Sequence, residues 1–281
     1  GGTVEKNNLR SVIWLAQAAK QGDRCAMYAL GKLYLEEDDL PTAMRWFQQS
    51  AELGYTLAQY RLGKLLLESG DADRNAQVVR WLTGAAECGD PYAQYALGKV
   101  HRDGIHVPRD MEKAVELFTQ SAEQDNVYAA YQLGKLYLAG EDIPKDVEAA
   151  IRWLSFSSDS GNAYAQYALG KVYLTGEDVP QDVRKAVSLF MESAEQKNEY
   201  AAYQLGKLYL AGEDVPKDVD TAIRWLTEAA DQNNQYAQYL LGKLYLCGQD
   251  VPRDREKAIL FLQASAAQGN IYAQFFLDHL D

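Results

Sequence analysis

The chain has few of the residues that build covalent staples and metal centres: of 281 residues, only three are cysteine and three are histidine. Cys25, Cys88 and Cys247 are odd in number and far apart, which argues against a disulfide framework and excludes a CxxC metal knuckle, so a reducing, cytoplasmic setting is expected. His101 and His106, with Asp103, are the one grouping that resembles a ligand set. One histidine falls inside a helical pattern and the other beyond its glycine stop, with no third strong ligand at metal spacing, so neither metal nor cofactor is expected. No GxSxG, P-loop, HExxH or adjacent Cys–His pair occurs; the reading is therefore a non-enzyme with no catalytic residues. No run of about 18 apolar residues is present, which excludes a spanning helix, and GGTVEKNNLR lacks the basic-then-apolar layout of a secretory signal. Positive charge is also scarce: 28 Lys and Arg against 40 Asp and Glu leave a net charge of −12, so direct nucleic-acid binding is not expected.

What the chain has in abundance is repetition. The string LGK places glycines at Gly31, Gly63, Gly98, Gly134, Gly170, Gly206 and Gly242, with the last five separated by 36 residues, and Asp278 takes that place in a further copy. Residues 127–154 and 199–226 differ only at Val127/Glu199, Ile143/Val215, Glu148/Asp220 and Ala149/Thr221, as recent duplication of a two-repeat block would leave them. Self-similarity at such a period has to be settled before domains are counted.

Within a copy, YAAYQLGKLYLAG carries apolar residues at helical spacing and stops at Gly140; this is helix A. Pro108, Pro144, Pro180, Pro216 and Pro252 follow in GEDVPKD-like loops, and Asp110, Asp146, Asp182, Asp218 and Asp254 stand two places later, where they can cap the next helix. That helix, B, reads VEAAIRWLSFSSDS in one copy and REKAILFLQASAAQ in another, with one apolar face. Trp14, Trp46, Trp81, Trp153 and Trp225, replaced by Leu117, Leu189 and Phe261 elsewhere, are expected to be interchangeable core anchors on B. The acidic loop pairs, such as Glu141 and Asp142, are assigned to solubility and capping.

A two-helix unit this short cannot bury its apolar face alone, so the expected fold is all-α: a right-handed α-solenoid, or superhelix, of antiparallel helix pairs. The expected organisation is one array over residues 1–281, about seven 36-residue units with a half-unit at each end. Phe275 and Phe276 near the C-terminus lead to the expectation that more chain or a partner belongs there, and that the isolated fragment associates end to end.

The pattern A-x-x-x-L-G-x-x-Y-x-x-G-x-x-V-P-x-D-x-x-x-A-x-x-W resembles the Sel-1-like repeat family, relatives of tetratricopeptide repeats. In the copy from Tyr128 it is carried by Ala129, Leu133, Gly134, Tyr137, Gly140, Pro144, Asp146, Ala150 and Trp153. The resemblance implies a superhelical adaptor that holds other proteins and carries out no catalysis. The wording LGKLYLxGEDVPKD, with IYAQFFLDHL closing the array, is also similar to the repeat tails of mobilisation relaxases of Gram-positive gut bacteria, which would make the chain an accessory region of a conjugation protein.

Placing helix A on a wheel of about 100° per residue separates a packing stripe, marked by Ala129 and Leu133, from a second stripe of tyrosine and lysine. The second stripe repeats Tyr28, Tyr60, Tyr95, Tyr131, Tyr167, Tyr203 and Tyr239, then Phe275, with Lys32, Lys64, Lys99, Lys135, Lys171, Lys207 and Lys243 four places behind each tyrosine. With Tyr128, Tyr164 and Tyr200 beside it, this stripe is the candidate concave binding face: Tyr95, Lys99, Tyr128, Tyr131, Lys135, Tyr164, Tyr167, Lys171, Tyr200, Tyr203, Lys207, Tyr239 and Lys243. Rings offer contact area at low rotamer cost and lysines neutralise carboxylates, so the expected partner is a protein or peptide, preferably acidic. The competing reading is purely structural, with each tyrosine packed on the neighbouring repeat and the lysine stem laid across its ring, which would leave the array a spacer.

Overall fold

The computed structural model describes residues 2–70 and 75–280, with side chains from 11–70 and 76–280. Sixteen α-helices occur among the described residues: α1 (Gly2–Lys20), α2 (Arg24–Glu36), α3 (Leu40–Glu52), α4 (Thr56–Ser69), α5 (Asn75–Glu87), α6 (Pro91–Asp103), α7 (Met111–Ala122), α8 (Val127–Ala139), α9 (Val147–Asp159), α10 (Ala163–Thr175), α11 (Val183–Glu195), α12 (Glu199–Ala211), α13 (Val219–Asp231), α14 (Gln235–Cys247), α15 (Arg255–Ala267) and α16 (Ile271–Asp278). From α2 onward, even numbers are A helices and odd numbers are B helices.

The ends of these helices lie where local chemistry puts them. Gly104, Gly176, Gly212 and Gly248 terminate A helices in the left-handed conformation, which a side chain would strain. In each following loop an aspartate turns the chain into helix B: the carboxylates of Asp110, Asp146, Asp182, Asp218 and Asp254 accept from the amides of Lys113, Ala149, Lys185, Thr221 and Lys257. Their own amides donate back to helix A, as from Asp182 to Tyr173 O at 2.9 Å, so one residue both closes the loop and starts the helix. Asn126, Asn162, Asn198, Asn234 and Asn270 cap the A helices in the same manner.

The LGK glycines explain how closely A and B approach. A β-carbon built on Gly31, Gly98 or Gly170 would lie within 2.6–2.8 Å of Phe47, Phe118 or Phe190 ring atoms, and on Gly134, Gly206 or Gly242 within 2.5–2.7 Å of Leu154, Leu226 or Leu262. The A backbone thus rests directly on a large B side chain, and Phe47, Phe118, Phe190, Leu154, Leu226 and Leu262 are fully buried. The deepest anchor on B is therefore the residue after the tryptophan place. Trp81 and Trp225 are buried, Trp46 and Trp153 are half-buried, and Trp14 on α1 is 71% exposed, so the tryptophan place ranges from core to surface. The alanine column behaves uniformly: Ala58, Ala93, Ala129, Ala165, Ala201, Ala237 and Ala273 are all completely buried.

The chain divides into two compact units, residues up to Leu133 and residues from Gly134 onward. In the first, successive helices from α1 to α7 pack on one another; in the second, α9 to α16 do the same. No described helix is long and apolar enough to cross a membrane.

Candidate functional site

The tyrosine and lysine stripe resolves into two layers with different exposure. The column tyrosines are half-buried, Tyr95, Tyr131, Tyr167, Tyr203 and Tyr239 among them. The tyrosines at the second position of the A helices from α6 onward stand outside them: Tyr128, Tyr164, Tyr200 and Tyr236 are 54%, 58%, 44% and 50% exposed. Within each unit, inner rings meet outer rings of the next A helix. In the first unit Tyr60 meets Tyr92 at 6.1 Å and Tyr95 meets Tyr128 at 6.2 Å between centroids. In the second, Tyr167 meets Tyr200 at 6.0 Å, Tyr203 meets Tyr236 at 6.0 Å and Tyr239 meets Tyr272 at 6.2 Å. Tyr95 and Tyr167 also lie 5.9 Å from Phe118 and Phe190 and so tie the face to the core.

Burial pushes the phenols of Tyr60, Tyr95 and Tyr203 above the ordinary tyrosine range, so they stay neutral hydrogen-bonding groups. Tyr200 is raised mainly by the Glu199 carboxylate beside it.

The lysines lie over their own helix's tyrosine: Lys99, Lys171 and Lys207 place the ammonium 5.6, 6.0 and 5.6 Å from the ring centroids of Tyr95, Tyr167 and Tyr203. Lys135, Lys171, Lys207 and Lys243 nevertheless remain exposed, while Lys99 is half-buried. The stem covers apolar surface and the charge faces water. In α10, α12 and α14 the only charged residues are Lys171, Lys207, Lys243 and Glu199, so this face is locally basic on a chain of net charge −12.

Sequence reasoning left Tyr92, Tyr236 and Tyr272 out of the candidate set, yet they occupy the same outer place as Tyr128, Tyr164 and Tyr200. Their signal was visible: each stands three residues before a column aromatic. The acidic loops have a use that composition did not reveal. Lys145 pairs with Asp178, and Lys217 with Asp250, each at 2.5 Å, so a loop lysine reaches the acidic pair of the next repeat. In the irregular third copy, Arg102 pairs with Asp103 at 2.7 Å and donates to Gln132 at 2.7 Å. The Asp103 hydrogen bond raises the guanidinium's pKa further, so Arg102 is a fixed cation. Among the described residues no group of three or more His, Cys, Asp or Glu is placed to hold a metal ion.

Helix pairs of one design, recurring with the same glycine stop, the same capping aspartate and the same buried alanine, define an α-helical repeat protein. The family model described as Sel1 repeat matches residues 1–23, 26–55, 56–90, 91–126, 127–162, 163–198, 199–234 and 235–270, and the chain belongs to that family. Among solved structures it is similar to a protective antigen of uropathogenic Escherichia coli with an SLR fold, at 34% identity and a TM-score of 0.80 over 93% of this chain. The chain spans 57% of that antigen's length. It is also similar to a Sel1 repeat protein from Oxalobacter formigenes, at 26% identity and a TM-score of 0.78, with 85% of this chain and 98% of the other covered. No curated protein matches the chain.

Proposed function

We propose that this Sel1-repeat protein is a non-enzymatic scaffold that binds a partner protein or peptide, preferably acidic, on the tyrosine and lysine face of its A helices. The observation that carries this reading is the outer row of rings, Tyr128, Tyr164, Tyr200 and Tyr236, held at about half exposure. Tyr200 and Tyr236 rest on an inner ring of the preceding A helix on one side and leave about half of their surface to solvent, and a recognition surface needs an aromatic that is held rigid and wet on one side. Segregated charge supplies the second component. Lysines above the rings favour carboxylates, each exposed ion pair adding roughly 0.2–1 kcal/mol and the set steering association more than it tightens it.

The test compares capture of partners by the wild-type chain with that by Lys135→Glu/Lys171→Glu/Lys207→Glu and by Tyr164→Ala/Tyr200→Ala/Tyr236→Ala, at low and high salt. The reading expects at least a tenfold loss in both variants, with the lysine variant's deficit largest at low salt. Equal capture by all three proteins would refute it and would leave the array a spacer, for which these side chains are dispensable.

A further inference from the structure

In the second unit a further set of tyrosines, Tyr137, Tyr173, Tyr209 and Tyr245, stands three places after an LGK glycine and outside the tyrosine and lysine stripe. Their surroundings alternate from copy to copy. Lys185 places its ammonium 4.1 Å from the Tyr173 ring centroid and donates to the Tyr173 hydroxyl at 2.9 Å. Lys257 lies 5.2 Å from the Tyr245 ring centroid, with its ammonium 3.5 Å from an Asp254 carboxylate oxygen. Both lysines are the third residue of their B helix. The other two copies have Ala149 and Thr221 at that place, and among the described residues no cation lies over Tyr137 or Tyr209.

The uncovered Tyr209 ring lines an open cleft of about 670 Å³, together with Lys217, Asp218, Asp220 and Asp250. That volume falls in the range of ligand sites. The groups that hold the Lys257 ammonium in the next copy, Tyr245 and Asp254, correspond to Tyr209 and Asp218, and both of these face the cleft. Its charge is acidic, with three carboxylates against one ammonium in the lining. Lys217 is engaged by Asp250 at 2.5 Å. Asp218 and Asp220 are exposed, and neither forms an ion pair among the described residues. Arg224, the one cation on α13, lies 5.3 Å from the Trp225 ring centroid.

The filled copies identify the chemistry of the occupant. A tyrosine face attracts a cation through the ring quadrupole, and a carboxylate beside it adds Coulomb attraction to the same charge. Ring and carboxylate together hold a lysine ammonium at Tyr245, and here the same pair is open to solvent with a further carboxylate, Asp220, at its edge. An anionic occupant would meet two unpaired acids, and a neutral one would leave both attractions unused. We propose that the cleft over Tyr209 binds the ammonium of a lysine presented by a partner segment, in the place that Lys185 and Lys257 fill within the neighbouring repeats. No residue of the tyrosine and lysine stripe takes part, so this site goes beyond the face described above and its failure would leave that reading intact.

The probe is N-acetyl-L-lysine N-methylamide, titrated into the labelled full chain at constant ionic strength and followed by NMR, with its Nε-acetylated, neutral derivative as control. Saturable shifts are expected at the Tyr209 ring and at the Val219 and Asp220 backbone amides, with the neutral derivative at least fivefold weaker. The rings of Tyr173 and Tyr245 should not respond, because their own lysines already cover them. Thr221→Lys fills the place from within, on the pattern of Lys185 and Lys257, and should weaken binding at least fivefold without lowering the unfolding midpoint. Asp218→Asn removes the carboxylate charge while keeping the helix cap, and should weaken binding at least threefold. Absence of saturable shifts at Tyr209 overturns the proposal. So do equal shifts at Tyr173 and Tyr245, which general attraction of a cation to an acidic chain would give. Equal binding of the neutral derivative, or undiminished binding by either variant, overturns it as well.

Discussion

Replacing Gly206 by alanine tests whether the LGK glycines set the distance between A and B helices. A β-carbon on this residue would stand 2.5 Å from Leu226 Cγ, 2.7 Å from its Cδ2 and 3.2 Å from Ala222 O, where carbon atoms normally rest about 3.5–4.0 Å apart. Leu226 is fully buried and cannot swing into water, and Ala222 O belongs to the α13 backbone, so α12 and α13 must part or Leu226 must leave its rotamer. Overpacking of this kind costs about 1–3 kcal/mol, and the helix propensity gained from alanine returns about 1 kcal/mol. With two contacts below 3.0 Å the cost belongs in the upper part of that range, about 2–3 kcal/mol, so the expected net effect is a loss of roughly 1–2 kcal/mol. Gly84→Ala is the matched control: it sits inside α5 and meets only the end of the Gln59 side chain, at 3.3 Å, so the same chemical change should stabilise by up to about 1 kcal/mol. Urea unfolding followed by far-UV circular dichroism measures both, provided midpoints are compared at equal slope, because repeat arrays can lose cooperativity. A Gly206→Ala protein as stable as the wild type would refute the argument. The cause is checked by combining it with Leu226→Ala. That change alone should cost about 2–5 kcal/mol by opening a cavity, and the double variant should lose at least about 1 kcal/mol less than the sum because the new methyl group occupies the space. Strict additivity would mean that the contact with Leu226 is not the source of the strain.

Two further outcomes follow from the caps. Asn198 accepts from the amides of Tyr200 and Ala201 and donates to Ala163 O while buried, so Asn198→Ala should destabilise the second unit by roughly 1–3 kcal/mol in the same unfolding assay. Asp218 and Asp254 have carboxyl pKa values below the ordinary range, chiefly because the Thr221 and Lys257 amides donate to them. A carboxylate whose folded pKa lies below its unfolded one contributes stability that is fully present above the unfolded value and is lost as pH falls through that value towards the folded one. The unfolding midpoint should therefore drop on acidification across the carboxylate range, and Asp218→Asn/Asp254→Asn, which cap without titrating, should flatten that drop. An unchanged acid profile in the double variant would show that other groups govern it.

The parts of the molecule legible in sequence are those that depend on a few neighbouring residues. A left-handed stop at Gly176 or Gly212, and a cap at Asp182, are fixed by backbone sterics and a local hydrogen bond. The alanine column was equally plain, because close packing in every copy demands the same small residue. Less legible was which large side chain would lie beneath each glycine. The tryptophans draw the eye, but the residue after each one points down the axis between A and B, and only the packed distance reveals that. The outer tyrosines were partly recognised and partly missed, since exposure differs between two rings three residues apart on one helix. Pairs such as Lys145 with Asp178 lie 33 residues apart and were invisible to any local reading.

The sequence by itself determined that this is an all-α repeat protein of the Sel1 family, because period, caps and glycines are properties of short stretches that recur. Only the tertiary structure decided what each column does once copies are stacked. It set Lys171 and Lys207 over tyrosine rings and kept Tyr164 and Tyr200 at the surface. The physical reason is that repetition fixes position along a helix, whereas burial and pairing depend on what the next helix brings to that position.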